Sequence, residues 1–340
     1  MSGASFPFVG QLRAELILRN RIHARNHPHV ESYGSNPVVV YAPEETRHGN
    51  FYPLAYDAIC ARPGWIRRFD KIHSQLRSLP KSQNNPARKW RELDSSMSSD
   101  ALLMNIFCTP GVSDSAPLLR MMGIDSADEP VFGWKARVPL ANGRVDRTEI
   151  DMRWGGLLVE AKLTESDFQC REASVVESYC NFDAIFHRNL LPRVPIRIQR
   201  RRQAVEFAEE FTQEWEEPGE DSAEIARAFH AEIEDRVDAE QLWSPGYASY
   251  QLIRNVLAAY ATGSSFCLVY DQRRPDLSQA WFDVMRSVKS ADLRTRCKAL
   301  TWQEIVPFLP HGLRQFLDLK YGIVDPGTDA SPLEEFETRR

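Results

Sequence analysis

Alternating apolar and polar positions predict a short β-hairpin near the middle of the chain. In residues 148–163, two runs of this kind flank Gly155 and Gly156. A Gly-Gly pair between such runs is typical of a tight turn, because primed turns require positive φ at their central residues. If these glycines form the turn, Trp154 lies opposite Leu157, and the residue numbers of every opposed pair add up to 311. Asp151 then lies directly opposite Glu160.

The predicted hairpin has one apolar face and one charged face, because successive side chains of a strand point to opposite sides. The apolar face carries Ile150, Met152, Trp154, Leu157, Val159 and Ala161. The charged face carries Glu149, Asp151, Arg153, Leu158, Glu160 and Lys162, with Glu149 opposite Lys162. The unbroken apolar run at 157–159 is typical of an interior strand.

Further helices and strands are predicted on both sides of this hairpin. They are a helix that begins at Ser98 as N-cap, a strand at 131–140 that turns at Asn142-Gly143 into 145–154, a helix at 247–260 ended by Gly263, a buried strand at 265–270, a helix at 277–288, a short strand at 299–300 and a capping box at 301–304. The fold class is therefore α/β.

Residues 165–245 interrupt this order and are predicted to form a largely helical insertion. Apolar residues recur at helical spacing in 204–215 and again in 222–237. Near the start of this part stand Arg197, Arg200, Arg201 and Arg202, which we expect to contact nucleic-acid phosphates. The alternative is an exposed basic face that the neighbouring acidic helix neutralises.

Composition shifts suggest where the chain divides. The stretch from Leu79 to Ser99 is polar and contains Pro80 and Pro86, which is typical of a linker. We expect residues 1–94 to form an N-terminal extension with this linker, and residues 95–324 to form the core. The polar tail at 325–340 is expected to be flexible.

Overall composition limits the class of protein. The chain has 340 residues and a net charge of −5, so no global basic field attracts nucleic acid, although a local patch suffices. The six cysteines form no CxxC pair, which argues against zinc or iron–sulfur ligation. No apolar run reaches 18 residues, so we expect a cytoplasmic protein without a membrane span.

The charged face of the hairpin is the strongest candidate for chemistry. Two carboxylates directly opposed across strands repel by roughly 0.2–1 kcal/mol. A divalent cation would reverse that effect, and a few carboxylates with several waters are typical of a Mg²⁺ site. Lys162 projects from the same face, where it could hold a water or a phosphate oxygen. The alternative is a solvated polar face with a Glu149–Lys162 pair.

Asp151 followed by Glu160-Ala161-Lys162 resembles the D…ExK signature of the PD-(D/E)xK nuclease superfamily, in particular its uncharacterised bacterial members. The flanking segments 98–107, 250–255 and 265–270 resemble the elements around that signature. The resemblance covers about residues 95–310. It implies a restriction-endonuclease-like core, with a central mixed β-sheet flanked by helices, to which the helical insertion and the N-terminal extension are added.

The resemblance also implies an activity, namely metal-dependent hydrolysis of phosphodiester bonds, in the first place in DNA, by an endo- or exonuclease. Asp151, Glu160 and the carbonyl of Ala161 would hold Mg²⁺, with Mn²⁺ as a substitute, and Lys162 would orient the attacking water. Glu149 would pair with Lys162 or reach a second metal. Gln251, on the helix after the signature, is a further candidate. The products implied are a 5′-phosphate and a 3′-hydroxyl.

The chain departs from the superfamily pattern at two positions. Many members carry a glutamate on the first helix, where this chain has only Asp100 near the start. Many also have proline before the aspartate, where this chain has Ile150. A catalytically inactive nucleic-acid-binding or assembly protein with the same fold therefore stays open.

Two other classes of protein are alternatives to a nuclease. A two-carboxylate glycosidase gives Lys162 no role and leaves Trp154 on the opposite face. A plain interaction protein would make the charged hairpin a coincidence. The expected partner is DNA in a bacterial cytoplasm, and a homodimer is compatible with the sequence.

Overall fold

The computed structural model describes residues 7–73, 76–80, 89–125, 128–147, 149–197 and 243–327. In chain order, the helices and strands are α1 (Pro7–Ala24), β1 (His29–Glu31), β2 (Val39–Tyr41), α2 (Pro53–Cys60), α3 (Pro63–Ile66), α4 (Ser99–Phe107), α5 (Ala116–Met122), β3 (Val131–Lys135), β4 (Val138–Pro139), β5 (Val145–Asp146), β6 (Glu149–Trp154), β7 (Leu157–Ala161), β8 (Arg171–Glu172), α6 (Ala173–Val176), α7 (Phe182–Ile185), β9 (Arg193–Arg197), β10 (Trp243–Tyr247), α8 (Tyr250–Thr262), β11 (Ser265–Tyr270), α9 (Pro275–Met285), α10 (Ala291–Thr295), β12 (Cys297–Thr301), α11 (Trp302–Ile305) and α12 (His311–Tyr321). Short 3-10 turns lie at Arg67–Asp70, Leu76–Ser78, Glu92–Asp94 and Val306–Phe308.

A five-stranded mixed sheet, in the order β12-β11-β7-β6-β3, forms the centre of the fold. Strands β3, β6 and β7 are antiparallel, whereas β7, β11 and β12 are parallel. Apolar clusters cover both faces of this sheet. The prediction of an α/β protein with a central mixed sheet flanked by helices is confirmed.

The hairpin β6–β7 has the predicted register. Trp154 pairs with Leu157, and Met152 pairs with Val159. Gly155 has a φ of +55°, as the tight turn requires. The regular pairing stops at Met152–Val159, so Asp151 and Glu160 lie just beyond the last paired residues.

The predicted position of Ile150 is wrong. Met152 and Val159 pack on the side of α4, but Ile150 packs with Leu158 on the side of α8. On the neighbouring strand, Gly133 has a φ of +64°, and the pairing of β3 with β6 skips this position. The alternation of faces changes on both strands at this skipped pair, since Phe132 packs on the side of Met152 and Trp134 on the side of Ile150.

The elements around the hairpin largely follow the sequence pattern. Ser98 caps α4 by accepting a hydrogen bond from the backbone N–H of Ala101. Gly263 ends α8 in the left-handed conformation, and Thr301 and Glu304 form the predicted capping box. The predicted start of α8 is wrong, because Tyr247 is the last residue of strand β10 and the helix begins at Tyr250.

The N-terminal segment packs directly on the core. Leu12 and Leu16 of α1 and Ile59 of α2 belong to the same apolar cluster as Met152 and Val159. Helix α1 also contacts α12 near the other end of the described chain. There the buried Lys320 side chain donates a hydrogen bond to Asn20. The boundary at residue 94 stays a prediction.

Part of the predicted linker is wrong. Trp90, Leu93, Asp94 and Ser96 are buried, and Asp94 accepts hydrogen bonds from the backbone N–H of Arg91 and from the His48 ring. The polar residues of this stretch therefore bond within the protein instead of facing water. Residues 81–88 lie outside the described chain.

The described part of the insertion is not largely helical. Strands β8, β10 and β9 form an antiparallel sheet in that order, beside the two short helices α6 and α7. Pro195 lies in the middle of β9, where its missing N–H would break a helix. Arg200, Arg201 and Arg202, and the helices predicted within 204–237, lie outside the described residues, as does the tail from residue 328.

In the described ranges, no helix combines the length and the apolar character that crossing a bilayer requires.

Candidate active site

The acidic residues of the hairpin open onto a cleft of about 530 Å³. Helix α4, strand β6, the end of β7 and the start of α8 supply the wall that carries the predicted site. The lining residues from these elements include Asp100, Asp151, Glu160, Ala161, Lys162 and Gln251. Arg13, Lys71 and His73 line the cleft from the N-terminal segment. The fold thus brings the predicted acids and lysine together.

Asp151 connects the two strands of the hairpin. Its Oδ2 accepts a hydrogen bond of 2.8 Å from the backbone N–H of Ala161. Part of its surface is reachable from the cleft, yet the surrounding protein atoms displace most of its water. This desolvation raises the pKa of Asp151 well above its usual range, and the nearby carboxylates of Glu160 and Asp100 act in the same direction. A negative charge on Asp151 is therefore poorly compensated.

Glu160 is buried between two partners. Its Oε1 lies 2.8 Å from the Nζ atom of Lys162. Its Oε2 accepts a hydrogen bond of 2.8 Å from the Nδ2 atom of Asn255 on α8. Asn255 was not identified from the sequence as a site residue. Asn255 could have been identified from its position one helical turn after Gln251, which places both side chains on the same face of the helix.

Lys162 is held firmly in the charged form. Burial lowers the pKa of Lys162, but the carboxylates of Glu160, Glu165 and Asp151 outweigh it, so the pKa is raised above its usual value. The backbone N–H of Lys162 donates to the Val269 carbonyl, and its own carbonyl accepts from the Trp302 indole. Only 4% of the residue is exposed. The ammonium therefore points toward the acids with little freedom.

Of the two roles considered for Glu149, the pair with Lys162 is wrong, and the second-metal role stays a prediction. Oε1 of Glu149 accepts a hydrogen bond of 2.8 Å from Arg68, while Lys162 pairs with Glu160. Two features explain the difference. Strand β7 ends at Ala161, so the hairpin does not extend to the expected pair. In addition, Arg68 brings a closer cation from the N-terminal segment.

Asp100 belongs to the cleft, as the first acid of α4. Its Oδ2 lies 2.6 Å from Nη2 of Arg68 and 3.5 Å from Nζ of Lys71. Neither cation was identified from the sequence, because the ion pairs join segments about 30 residues apart without any local motif. Gln251 also lines the cleft, and its Oε1 is buried without a hydrogen-bond partner among the described residues.

Of the predicted phosphate-contacting arginines, Arg197 lies among the described residues, and Arg200, Arg201 and Arg202 lie outside them. Arg197 is exposed at the end of β9 and does not line the cleft. Its role in nucleic-acid binding stays a prediction.

The oxygen atoms around Asp151 fit a hard divalent cation. Asp151 forms no ion pair in the described chain, and its Oδ1 accepts no hydrogen bond there. Glu160 and the Ala161 carbonyl add oxygen donors beside it, the type that Mg²⁺ prefers. Over the described ranges, no group of three or more His, Cys, Asp or Glu side chains is arranged to hold a metal. A cation would therefore rely on two carboxylates, the carbonyl and water.

Comparison with known proteins identifies the family of the chain. The family model REase-ARP, described as Restriction Endonuclease associating with ARP, matches residues 19–322. No curated protein and no solved structure matches the chain. The matched range contains α4, the β6–β7 hairpin, α8 and β11, so the resemblance to restriction endonucleases is confirmed. The chain belongs to the REase-ARP family of restriction endonucleases.

Proposed function

We propose that the protein is a metal-dependent nuclease that hydrolyses phosphodiester bonds in DNA. The observation that carries this proposal is the grouping of Asp151, Glu160 and Lys162 at one cleft, with the lysine 2.8 Å from the glutamate. Family membership supports a DNA substrate and a restriction-endonuclease-like core. The named residues supply the finer assignment of roles.

Asp151, Glu160 and the carbonyl of Ala161 would hold the cation, Mg²⁺ in the first place and Mn²⁺ as a substitute. When bound, the ion supplies charge stabilisation at the phosphate and makes water more acidic. Asp151 needs this ion most, because it forms no ion pair among the described residues and Lys162 offsets its charge only at longer range. Glu160 is already oriented by Asn255 and Lys162.

Lys162 acts as a fixed positive charge and not as a general base. Its raised pKa keeps the ammonium protonated, so it has no lone pair to take a proton from water. An ammonium has three N–H donors, and Glu160 accepts one of them. The remaining donors are available to orient the attacking water or to stabilise charge that develops on the phosphate.

The direct test is cleavage of linear and supercoiled DNA with Mg²⁺, Mn²⁺ or excess chelator. Wild-type protein should cut with either metal and stop with chelator. Asp151→Asn and Lys162→Ala should each lose most of the activity. Asp183→Asn serves as a matched control, because Asp183 is exposed on α7, away from the cleft. Undiminished cleavage by the Asp151 or Lys162 variant would refute the assigned roles.

The two DNA forms also distinguish the mode of cutting. An endonuclease converts supercoiled circles into nicked or linear products, whereas an exonuclease leaves closed circles intact and shortens only linear DNA.

A further inference from the structure

The N-terminal segment supplies one wall of the cleft. Lys71 and His73 follow the 3-10 turn at Arg67–Asp70 and face the cleft that contains Asp151 and Glu160. Arg13 of α1 reaches it as well. No sequence motif assigns a role to this segment, so the cations that it brings to the cleft require an explanation.

Arg68 connects the N-terminal segment to the site through two ion pairs. Its guanidinium is nearly buried and divides its two ends between Asp100, at 2.6 Å, and Glu149, at 2.8 Å. The group fits because of Gly133, since a Cβ atom there would lie 2.3 Å from Nη1 of Arg68. Only glycine leaves that space. The sheet is therefore shaped to receive this one side chain.

Lys71 lies three residues after this anchor, and its side chain is 48% exposed. Its Nζ is 3.5 Å from Asp100 and 3.8 Å from Glu149. Both carboxylates already accept shorter bonds from Arg68, so they hold Lys71 loosely. Its remaining N–H donors are free to turn into the cleft.

We propose that Lys71 binds a backbone phosphate of the substrate DNA, and that Arg68 and Asp100 are the positioning pair that keeps it at the cleft. The inference rests on the proposed nuclease function and names a ligand for the N-terminal wall. It also assigns Asp100 the role of holding Arg68, and not the role of a metal ligand.

The distribution of charge agrees with this assignment. Arg68 and Lys71 offset Asp100 and Glu149, and Lys162 offsets Glu160. Asp151 is the member of this group that forms no ion pair among the described residues. Glu92, Glu165 and Asp167 also line the cleft, so a divalent ion beside Asp151 would offset part of its negative charge before a phosphate group approaches.

The first experiment measures binding of a short labelled duplex, with Ca²⁺ in place of Mg²⁺ to limit cutting. Lys71→Ala should weaken binding about tenfold and reduce the salt dependence by about one phosphate contact, and Lys71→Arg should restore most of both. Lys289→Ala is the control, because Lys289 is exposed far from the cleft.

The outcomes separate this inference from the proposed function. If wild-type protein neither binds nor cuts DNA, the nuclease assignment fails. If it binds and cuts, but Lys71→Ala behaves like Lys289→Ala in both affinity and salt dependence, only the role of Lys71 is refuted.

The second experiment titrates Mn²⁺ without DNA. Asp100→Asn should bind Mn²⁺ within about twofold of wild type, whereas Asp151→Asn should lose about tenfold or more. In the duplex assay, Asp100→Asn should resemble Lys71→Ala. Equal loss of Mn²⁺ binding in both aspartate variants would show that Asp100 is a metal ligand and overturn the anchor role. Since Asp100 is buried, thermal unfolding checks that its variant folds, and Lys71→Ala tests the proposal if it does not.

Discussion

The side-chain amide of Asn255 donates a 2.8 Å hydrogen bond to Oε2 of Glu160, across 95 residues of sequence. Both residues are buried, so this bond fixes the carboxylate while Lys162 holds its other oxygen. The helix after the hairpin thus orients an acid that the strand alone would leave free to rotate.

Removing that amide should reduce stability and metal binding together. We expect Asn255→Ala to lower the free energy of unfolding by about 1–3 kcal/mol, because a buried carboxylate oxygen loses its donor. Asn255→Asp should be worse, since it places a second carboxylate against Glu160 unless a proton is shared. Urea unfolding and Mn²⁺ titration measure the two effects. If Asn255→Asp keeps wild-type stability and Mn²⁺ affinity, the hydrogen bond does not position Glu160.

Asp151→Asn should stabilise the metal-free protein while it removes activity. The pKa of Asp151 is raised by desolvation and by Glu160 and Asp100, so its ionised form is unfavourable in the folded state. An amide of the same shape removes that charge. The midpoint of urea unfolding at neutral pH, in chelator, should rise relative to wild type. A lower midpoint would indicate that the Asp151 charge is well compensated in the folded protein.

Acid should destabilise the N-terminal helix through His23. Burial, with help from Lys320 and His27, lowers the pKa of His23 from 6.5 to about 4. A histidine whose pKa is lowered by folding contributes stability at pH values above its pKa in the unfolded chain. That contribution is lost as the pH falls from about 6.5 toward 4. At 1.36 kcal/mol per pKa unit the upper bound is about 3.4 kcal/mol, and solvent screening of the partly exposed ring makes the loss smaller. Urea unfolding as a function of pH measures this change.

His23→Gln should flatten that part of the pH profile, because the titrating ring is gone. His311→Gln is the control, as His311 is exposed at the start of α12. Equal slopes for wild type and His23→Gln would assign the acid sensitivity to other groups.

Gly133 should resist substitution far more than Gly156. At Gly133, a methyl group would collide with Arg68, and the φ of +64° disfavours any other residue. We expect Gly133→Ala to cost roughly 1–3 kcal/mol. Gly156→Ala has open space and should be within about 0.5 kcal/mol of wild type.

A second variant separates the two causes at Gly133. In an Arg68→Ser background, the collision is gone but the backbone strain persists, so Gly133→Ala should cost less than in wild type. Additive losses in a double-mutant cycle would show that Arg68 does not occupy the space left by the glycine.

Local signals predicted the register of the hairpin and the grouping of its acids with Lys162, and distant contacts explain the errors. The two-glycine turn fixed the register of the hairpin, and two-residue spacing placed Lys162 beside Glu160. Glu149 was misassigned because its actual partner, Arg68, lies 81 residues earlier in the chain. Ile150 changes sides at the skipped pair between β6 and β3, which the pattern of β6 alone does not reveal. The strand pairing of β8, β10 and β9 likewise joins the two ends of the predicted insertion, so the local pattern there did not indicate a sheet.

Helices α1 and α12 pack together although almost the whole chain separates them. A ribosome synthesises α1 first and α12 some 300 residues later, so the face of α1 that packs on α12 stays uncovered during most of translation. Growing chains should therefore lack a finished fold until α12 has left the exit tunnel. The proposed nuclease would in this way complete its fold only late in synthesis.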